Sequence, residues 1–92
     1  MAEPARSLAD VRADIDAVDG AIVDLLGRRR RLVLEAAAAK AQTGAAMFDP
    51  AREAALIAAL EHRATSHQLQ AGLLTDLYTR ILAWSRQLRP PP

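Results

Sequence analysis

The chain has 92 residues, and its 12 lysines and arginines nearly balance 11 aspartates and glutamates, so the net charge of +1 gives no overall electrostatic reason to bind nucleic acid or an anionic membrane. The absence of cysteine excludes disulfides and thiolate metal sites, and with only two histidines as nitrogen ligands we do not expect a metal enzyme. No secretion signal and no run approaching the roughly 18 apolar residues of a membrane span is present, so we expect a cytoplasmic protein.

A long amphipathic helix is predicted from Leu8 to about Gln42. Ser7 is the predicted N-cap, and Asp10 lies in the first turn, where negative charge is favourable. Large apolar residues recur at steps of three and four along one face, at Leu8, Val11, Ile15, Val18, Ile22 and Leu25, and the rhythm continues to positions 29, 32 and 36. The predicted helix has about 35 residues and a length of roughly 50 Å.

Two shorter helices are predicted after the long one. The first of them begins at Pro50, which suits the first helical position, and Asp49 is its N-cap. The other runs from about Gln70 to Leu88, where the prolines at 90–92 stop it. No period-two pattern of a strand is present, so the predicted fold class is all-α.

These helix lengths favour a dimer. Helices of about 35, 16 and 19 residues do not form a compact monomer, because the two short ones together barely match the first in length. A two-fold dimer with antiparallel long helices buries the apolar stripe without new sequence. We therefore predict a single domain, residues 1–92, that forms an intertwined six-helix homodimer, with residues 1–6 and 90–92 as flexible ends.

Cations interrupt the apolar stripe of the long helix. Arg29 stands where the pattern requires an apolar residue, and Lys40 follows eleven residues later at nearly the same angle. Inward-facing cations require acidic partners or an anionic ligand, although both side chains can instead extend over the core and place their charges in water. Arg12 lies roughly 100° away around the helix, so it would reach a pocket of the partner chain in an antiparallel dimer.

Unlike charges surround Pro50, where Asp49, Arg52 and Glu53 follow one another closely. Asp49 and Pro50 are explained as start signals of a helix. Capping leaves Arg52 and Glu53 unexplained.

Together, these motifs resemble the all-helical (AroQ-type) chorismate mutases over nearly the whole chain. The segments concerned are "LADVRADIDAVDGAIVDLLGRRRRLV", then Lys40, then "FDPAREAAL". The resemblance implies an intertwined helical dimer that converts chorismate to prephenate without a cofactor. Such an isomerase would belong to the shikimate pathway and aromatic amino acid biosynthesis.

The resemblance also implies catalytic roles. Arg12 of the partner subunit and Arg29 of the same chain would clamp the substrate carboxylates, and Lys40 would donate to its ether oxygen. Glu53 would bind the substrate hydroxyl. A bend before the second helix would bring Arg52 and Glu53 back over Lys40, as walls of an anion pocket.

Further binding residues are implied at the two short helices. Arg52 would bind beside Asp49, and Ser85 matches a polar residue late in the third helix. Four residues after this serine the family usually has Gln or Glu, whereas this chain has Arg89, directly before a proline that disfavours helical geometry. Either Arg89 contacts the ether oxygen, or the helix frays and leaves that contact to Gln87 or to the lysine alone.

The chemistry of this family suits the residue types present. The rearrangement is a concerted bond exchange within one molecule, so it requires no nucleophile, metal or proton transfer. Confinement of a flexible dicarboxylate in its reactive chair and stabilisation of charge on the ether oxygen are what a protein can supply. Arginines grip carboxylates in a bidentate manner, and a preorganised lysine stabilises the developing charge.

Several substrates are compatible with these residues. Relatives of the same fold eliminate pyruvate from isochorismate or act on 4-amino-4-deoxychorismate, in which an amine replaces the hydroxyl, and Glu53 suits either group. A different class is also open: a non-catalytic helical dimerisation module, or a mutase whose activity depends on a partner enzyme of the shikimate pathway.

Overall fold

The computed structural model describes residues 5–44 and 48–89 and contains three α-helices. They are α1 (Leu8–Thr43), α2 (Pro50–Thr65) and α3 (Leu73–Gln87). No strand occurs in either described range, so the all-α prediction is confirmed. Residues 1–4 and 90–92, which were predicted as flexible ends together with residues 5 and 6, lie outside the described residues.

Side-chain caps begin the first two helices as predicted. The Ser7 hydroxyl accepts a hydrogen bond of 3.1 Å from the Asp10 N–H at the start of α1. At α2, Asp49 Oδ1 accepts a bond of 3.0 Å from the Arg52 N–H, and Pro50 occupies the first helical position. The helix-start signals that can be recognised in the sequence therefore occur at the N-terminal boundaries of both α1 and α2.

The third helix begins three residues after its predicted start at Gln70. Its N-cap is Gly72, whose φ of 87° is left-handed and which has no side chain to cap the helix. The carboxylate of Glu61 on α2 takes that role, since it accepts hydrogen bonds from the N–H groups of Gly72 and Thr75, at 3.2 and 2.7 Å. The start of α3 therefore depends on a residue that lies eleven positions upstream of its cap.

Contacts divide the chain into two compact units, Met1–Leu32 and Val33–Pro92. In the second unit α2 packs on α3, and among its described residues the buried apolar ones are Ala37, Ala64 and Leu82, at 5–6% exposure. Alanine at two of these three positions permits close helix packing but gives a small core. The single domain over residues 1–92 stays a prediction.

The first unit consists of the N-terminal part of α1 and exposes its apolar stripe. The stripe residues are between 38% and 64% exposed: Leu8, Val11, Ile15, Val18, Ile22, Leu25 and Leu32. None of the described helices is long and apolar enough to cross a membrane. The stripe is amphipathic in the manner of a helix that packs against another protein surface.

Candidate active site

The predicted site residues are divided between the two units. Arg12 and Arg29 belong to the first unit, and in α1 Arg12 is exposed whereas Arg29 is partly buried. The others lie in the second unit: Lys40, Asp49, Arg52, Glu53, Ser85, Gln87 and Arg89. Sequence position therefore assigns the two expected carboxylate clamps to one unit and the remaining candidates to the other.

Lys40 lies in the last turn of α1 and is partly buried. Buried Ala37 precedes it by one turn, so the lysine stem starts on the packed side of the helix. Thr43 donates its hydroxyl to the Lys40 carbonyl at 3.3 Å and closes this end of the helix. Lys40 thus belongs to the second unit and lies one turn from its buried Ala37.

The N-terminal cap of α2 fixes the backbone positions of Arg52 and Glu53. The Asp49 carbonyl accepts the Glu53 N–H at 3.1 Å, while the Asp49 carboxylate accepts the Arg52 N–H. Asp49 is therefore engaged as a cap, and the Arg52 side chain is exposed. Glu53 is less exposed than either, so it is the inward-facing charge of this turn.

An ion pair joins Glu53 on α2 to Arg86 on α3. Arg86 Nη1 donates to Glu53 Oε1 at 2.6 Å, and the two side chains are 41% and 23% exposed. The Arg86 Cζ also lies 4.9 Å from the centroid of the Phe48 ring, within the range of a cation–π contact. Glu53 is thus held by a guanidinium that is itself packed on an aromatic ring.

Sequence reasoning did not single out Arg86. The pair is separated by 33 positions and forms only because α2 packs on α3. A signal was nevertheless present, since Arg86 follows buried Leu82 by four residues and therefore lies on the same face of α3. This spacing places Arg86 beside the packed face, although its side chain remains 41% exposed.

Arg89 lies near the C-terminal end of α3. The helix ends at Gln87, and Leu88 is extended with φ −71° and ψ 132°. Arg89 Nη1 donates to the carbonyls of Arg86 and Leu88 at 2.6 and 2.8 Å, as cations do at helix C-termini. Arg89 therefore lies past the helix end, and Gln87 is the exposed last helical residue.

The hydroxyl of Ser85 donates to the Ile81 carbonyl at 2.8 Å in a part-buried position. A bond of this kind to a carbonyl of the preceding turn is common for serine within a helix.

The described residues contain no cluster of metal-ligating side chains. No group of three or more His, Cys, Asp or Glu residues among them could hold a metal ion. The charged candidates of the second unit instead comprise Lys40, Arg52 and Arg89 with the Glu53–Arg86 pair. Cationic side chains of this kind bind anionic groups, and a carboxylate accepts hydrogen bonds.

Comparison with known families identifies the class of protein. The family described as "Chorismate mutase type II" matches residues 11–89, which include every predicted site residue. The chain belongs to the type II chorismate mutase family.

Individual relatives carry different names. The chain is 33% identical over 75 residues to the T-protein of Enterobacter agglomerans, covering 82% of this chain but 20% of that protein, so it spans about a fifth of that relative. It is 37% identical over 82 residues to the isochorismate pyruvate lyase of Pseudomonas aeruginosa, covering 89% of this chain and 80% of the relative. To the 4-amino-4-deoxychorismate mutase of Streptomyces venezuelae it is 32% identical over 75 residues, covering 82% and 73%.

Proposed function

We propose that this chain is a chorismate mutase, an isomerase that rearranges chorismate to prephenate in the cytoplasm on the route to aromatic amino acids. The observation that carries the proposal is the family match over residues 11–89, because that range includes Arg12, Arg29, Lys40 and Glu53, the residues to which the resemblance assigns catalytic roles. No cofactor takes part, since the bonds that break and form lie within one substrate molecule.

Arg29 and the partner subunit's Arg12 bind the two substrate carboxylates in this proposal. Each guanidinium can hold a carboxylate through two parallel hydrogen bonds, which restricts the orientation of the substrate as well as attracting it. Holding both ends of a flexible dicarboxylate in the reactive chair lowers the entropic part of the barrier.

Lys40 donates to the ether oxygen as the C–O bond breaks. Negative charge grows on this oxygen in the transition state, so a fixed ammonium group stabilises the transition state more than the substrate. The partly buried position of Lys40 supports this role, because electrostatic interactions are stronger where water is partly excluded. Glu53 accepts a hydrogen bond from the substrate hydroxyl, while Arg52 and Ser85 are proposed to complete the binding site.

The proposed enzyme is a homodimer with shared sites. The support for this is the exposed apolar stripe of α1, whose residues would remain in water in a lone chain. A second copy provides the same stripe in the opposite direction and can cover it by two-fold symmetry. The antiparallel arrangement brings Arg12 of each chain to the partner's site.

Isochorismate pyruvate lyase is the second candidate function. It is favoured by the 37% identity to the Pseudomonas aeruginosa relative of that name, of which the chain covers 80%. Its substrate is also a cyclic dicarboxylate with an enolpyruvyl ether, so the same cationic clamps would serve. A partner enzyme that activates the chain is compatible with either activity.

The deciding experiment is an assay of the purified chain with chorismate, isochorismate and 4-amino-4-deoxychorismate supplied separately. Loss of substrate absorbance is followed, and products are identified by liquid chromatography. Prephenate from chorismate supports the proposal, whereas salicylate and pyruvate from isochorismate favour the lyase.

The same assay is repeated with candidate partner enzymes of the shikimate pathway. Turnover that appears only then indicates activation by a partner. No turnover in any mixture, together with no chorismate binding at millimolar concentration, overturns the enzymatic proposal and leaves a dimerisation module.

A further inference from the structure

One oxygen of the Glu53 carboxylate is bound to Arg86, and this limits the interactions that Glu53 can form with a ligand. Arg86 Nη1 donates to Oε1 at 2.6 Å, from a guanidinium whose Cζ lies 4.9 Å from the Phe48 ring centroid. An ion pair at the surface orders its side chains only weakly, but the aromatic contact and the packed helices restrict this one. The pair therefore presents Glu53 in a defined orientation.

A paired carboxylate retains its capacity to accept hydrogen bonds. Two oxygens provide about four lone-pair sites, so Glu53 can accept a ligand proton while Arg86 occupies one site. The local charge is different, however, because the guanidinium offsets the negative charge of Glu53. A ligand group that binds here therefore contacts a hydrogen-bond acceptor, the Glu53 carboxylate. The ion pair to which this acceptor belongs has no net charge.

Hydroxyl and amine substituents respond differently to such a pair. A neutral hydroxyl needs only the acceptor, so the nearby guanidinium does not penalise it. An alkyl amine is protonated at pH 7 and would gain from an unpaired carboxylate, but the positive charge of Arg86 opposes it. The pair thus favours hydroxyl over ammonium, while an unpaired Glu53 would favour the reverse.

We propose that Arg86 is a specificity-determining residue that makes Glu53 select a substrate hydroxyl over a substrate amine. The inference rests on the proposed function, which places the variable substituent of the substrate at Glu53. Phe48 supports Arg86 as the surface on which the guanidinium rests. The residue therefore separates chorismate from its 4-amino counterpart.

The test is the ratio of kcat/KM for chorismate to kcat/KM for 4-amino-4-deoxychorismate, measured at pH 7 and low ionic strength. Where the amine substrate turns over too slowly, the ratio of its competitive inhibition constant to the KM of chorismate is used instead, and neither of these constants depends on the fraction of folded protein. The fraction of folded protein also cancels in the ratio of kcat/KM values, so a variant that merely folds less well leaves the ratio unchanged. A purely structural role for Arg86 is therefore distinguishable.

Arg86→Gln is expected to lower the ratio about threefold to tenfold, as one charge at a few ångströms in partly screened surroundings would do. Arg86→Lys keeps the charge and retains most of the preference. Phe48→Leu removes the aromatic surface but not the charge and gives a smaller shift in the same direction. Arg80→Gln is the matched control, an exposed arginine of α3 that leaves the ratio unchanged.

Two results would overturn the inference, and they have different consequences for the proposed function. An Arg86→Gln variant whose rates fall equally on both substrates shows that Arg86 only stabilises the fold, while the proposed function stands. A wild-type chain that turns over neither substrate and binds neither overturns the proposed function itself, and the role of Arg86 falls with it.

Discussion

Glu61 on α2 caps α3 through Thr75. Its Oε1 accepts hydrogen bonds from the Thr75 N–H at 2.7 Å and from the Thr75 hydroxyl at 2.8 Å, and its Oε2 accepts the Gly72 N–H at 3.2 Å. These bonds favour the ionised carboxylate, with the Thr75 hydroxyl as the largest cause, and they lower the pKa of Glu61 from its ordinary value of 4.5. The charge also lies at the positive end of the α3 dipole.

Glu61→Ala is expected to lower the thermal unfolding midpoint at pH 7, because it leaves the first N–H groups of α3 without their acceptor. A pKa that is lowered by folding stabilises the folded state fully above the unfolded value and loses this effect as the pH falls through the folded value. The difference between wild type and variant should therefore shrink below about pH 4.5.

Circular dichroism melts from pH 7 to pH 3 at equal protein concentration measure this difference. Glu35→Ala, at an exposed glutamate of α1, is the control for removing a charge. A Glu61→Ala deficit that stays constant over the whole range would contradict the charge-dependent cap.

Ile15→Asp is expected to convert the protein from dimer to monomer, because it places a charge in the middle of the apolar stripe, where Ile15 is 53% exposed in the single chain. Light scattering after size exclusion should give about 20 kDa for wild type, twice the chain mass of 9.9 kDa, and half of that for the variant. Ala13→Asp, on the opposite face of α1, should remain a dimer. Equal masses for wild type and Ile15→Asp would remove the support for a dimer through this face.

Arg29→Ala and Lys40→Ala are each expected to reduce kcat/KM for chorismate about 100- to 1000-fold, because each removes a preorganised cation that acts on the carboxylates or the ether oxygen. Steady-state kinetics measure the loss, and light scattering verifies that the dimer survives. Arg30→Ala serves as control, since Arg30 is the residue that follows Arg29 in α1 and is exposed. Wild-type rates in either variant would exclude that residue from the site.

Mixing Arg12→Ala chains with Arg29→Ala chains is expected to restore activity. Each mixed dimer has one site with both arginines intact and one with neither, so random exchange should recover about a quarter of the wild-type activity. The activity is measured after unfolding and refolding the two variants together, and a tagged chain verifies that mixed dimers form. Absence of recovery in proven mixed dimers would indicate that Arg12 acts within its own chain.

Helix boundaries were predictable where their signals are local. Ser7, Asp49 and Pro50 act on N–H groups or backbone angles within three residues of themselves, and the structure has them in these roles. The start of α3 was displaced because its cap comes from Glu61, on another helix. A single sequence shows no pattern for a capping group so far upstream.

The candidate site residues likewise divide into those indicated by local sequence signals and those that depend on contacts between helices. Arg29, Lys40 and Glu53 could be selected from their spacing, because each departs from the apolar pattern or from the needs of a helix cap. Arg86 escaped this reasoning, since its contacts with Glu53 and Phe48 arise from the packing of α2 on α3. Four-residue spacing from Leu82 indicates the face on which Arg86 lies but not the residue it meets.

The sequence by itself determined the all-α class, the three helices and the family, because periodicity, capping and motif spacing act over a few residues and are legible without the fold. Only the tertiary structure decided which polar and charged groups contact one another. Glu53 and Arg86 are separated by 33 positions, and Glu61 and Thr75 by 14. These pairs form when two helices pack at one particular register, and the relative register of packed helices depends on the whole interface between them.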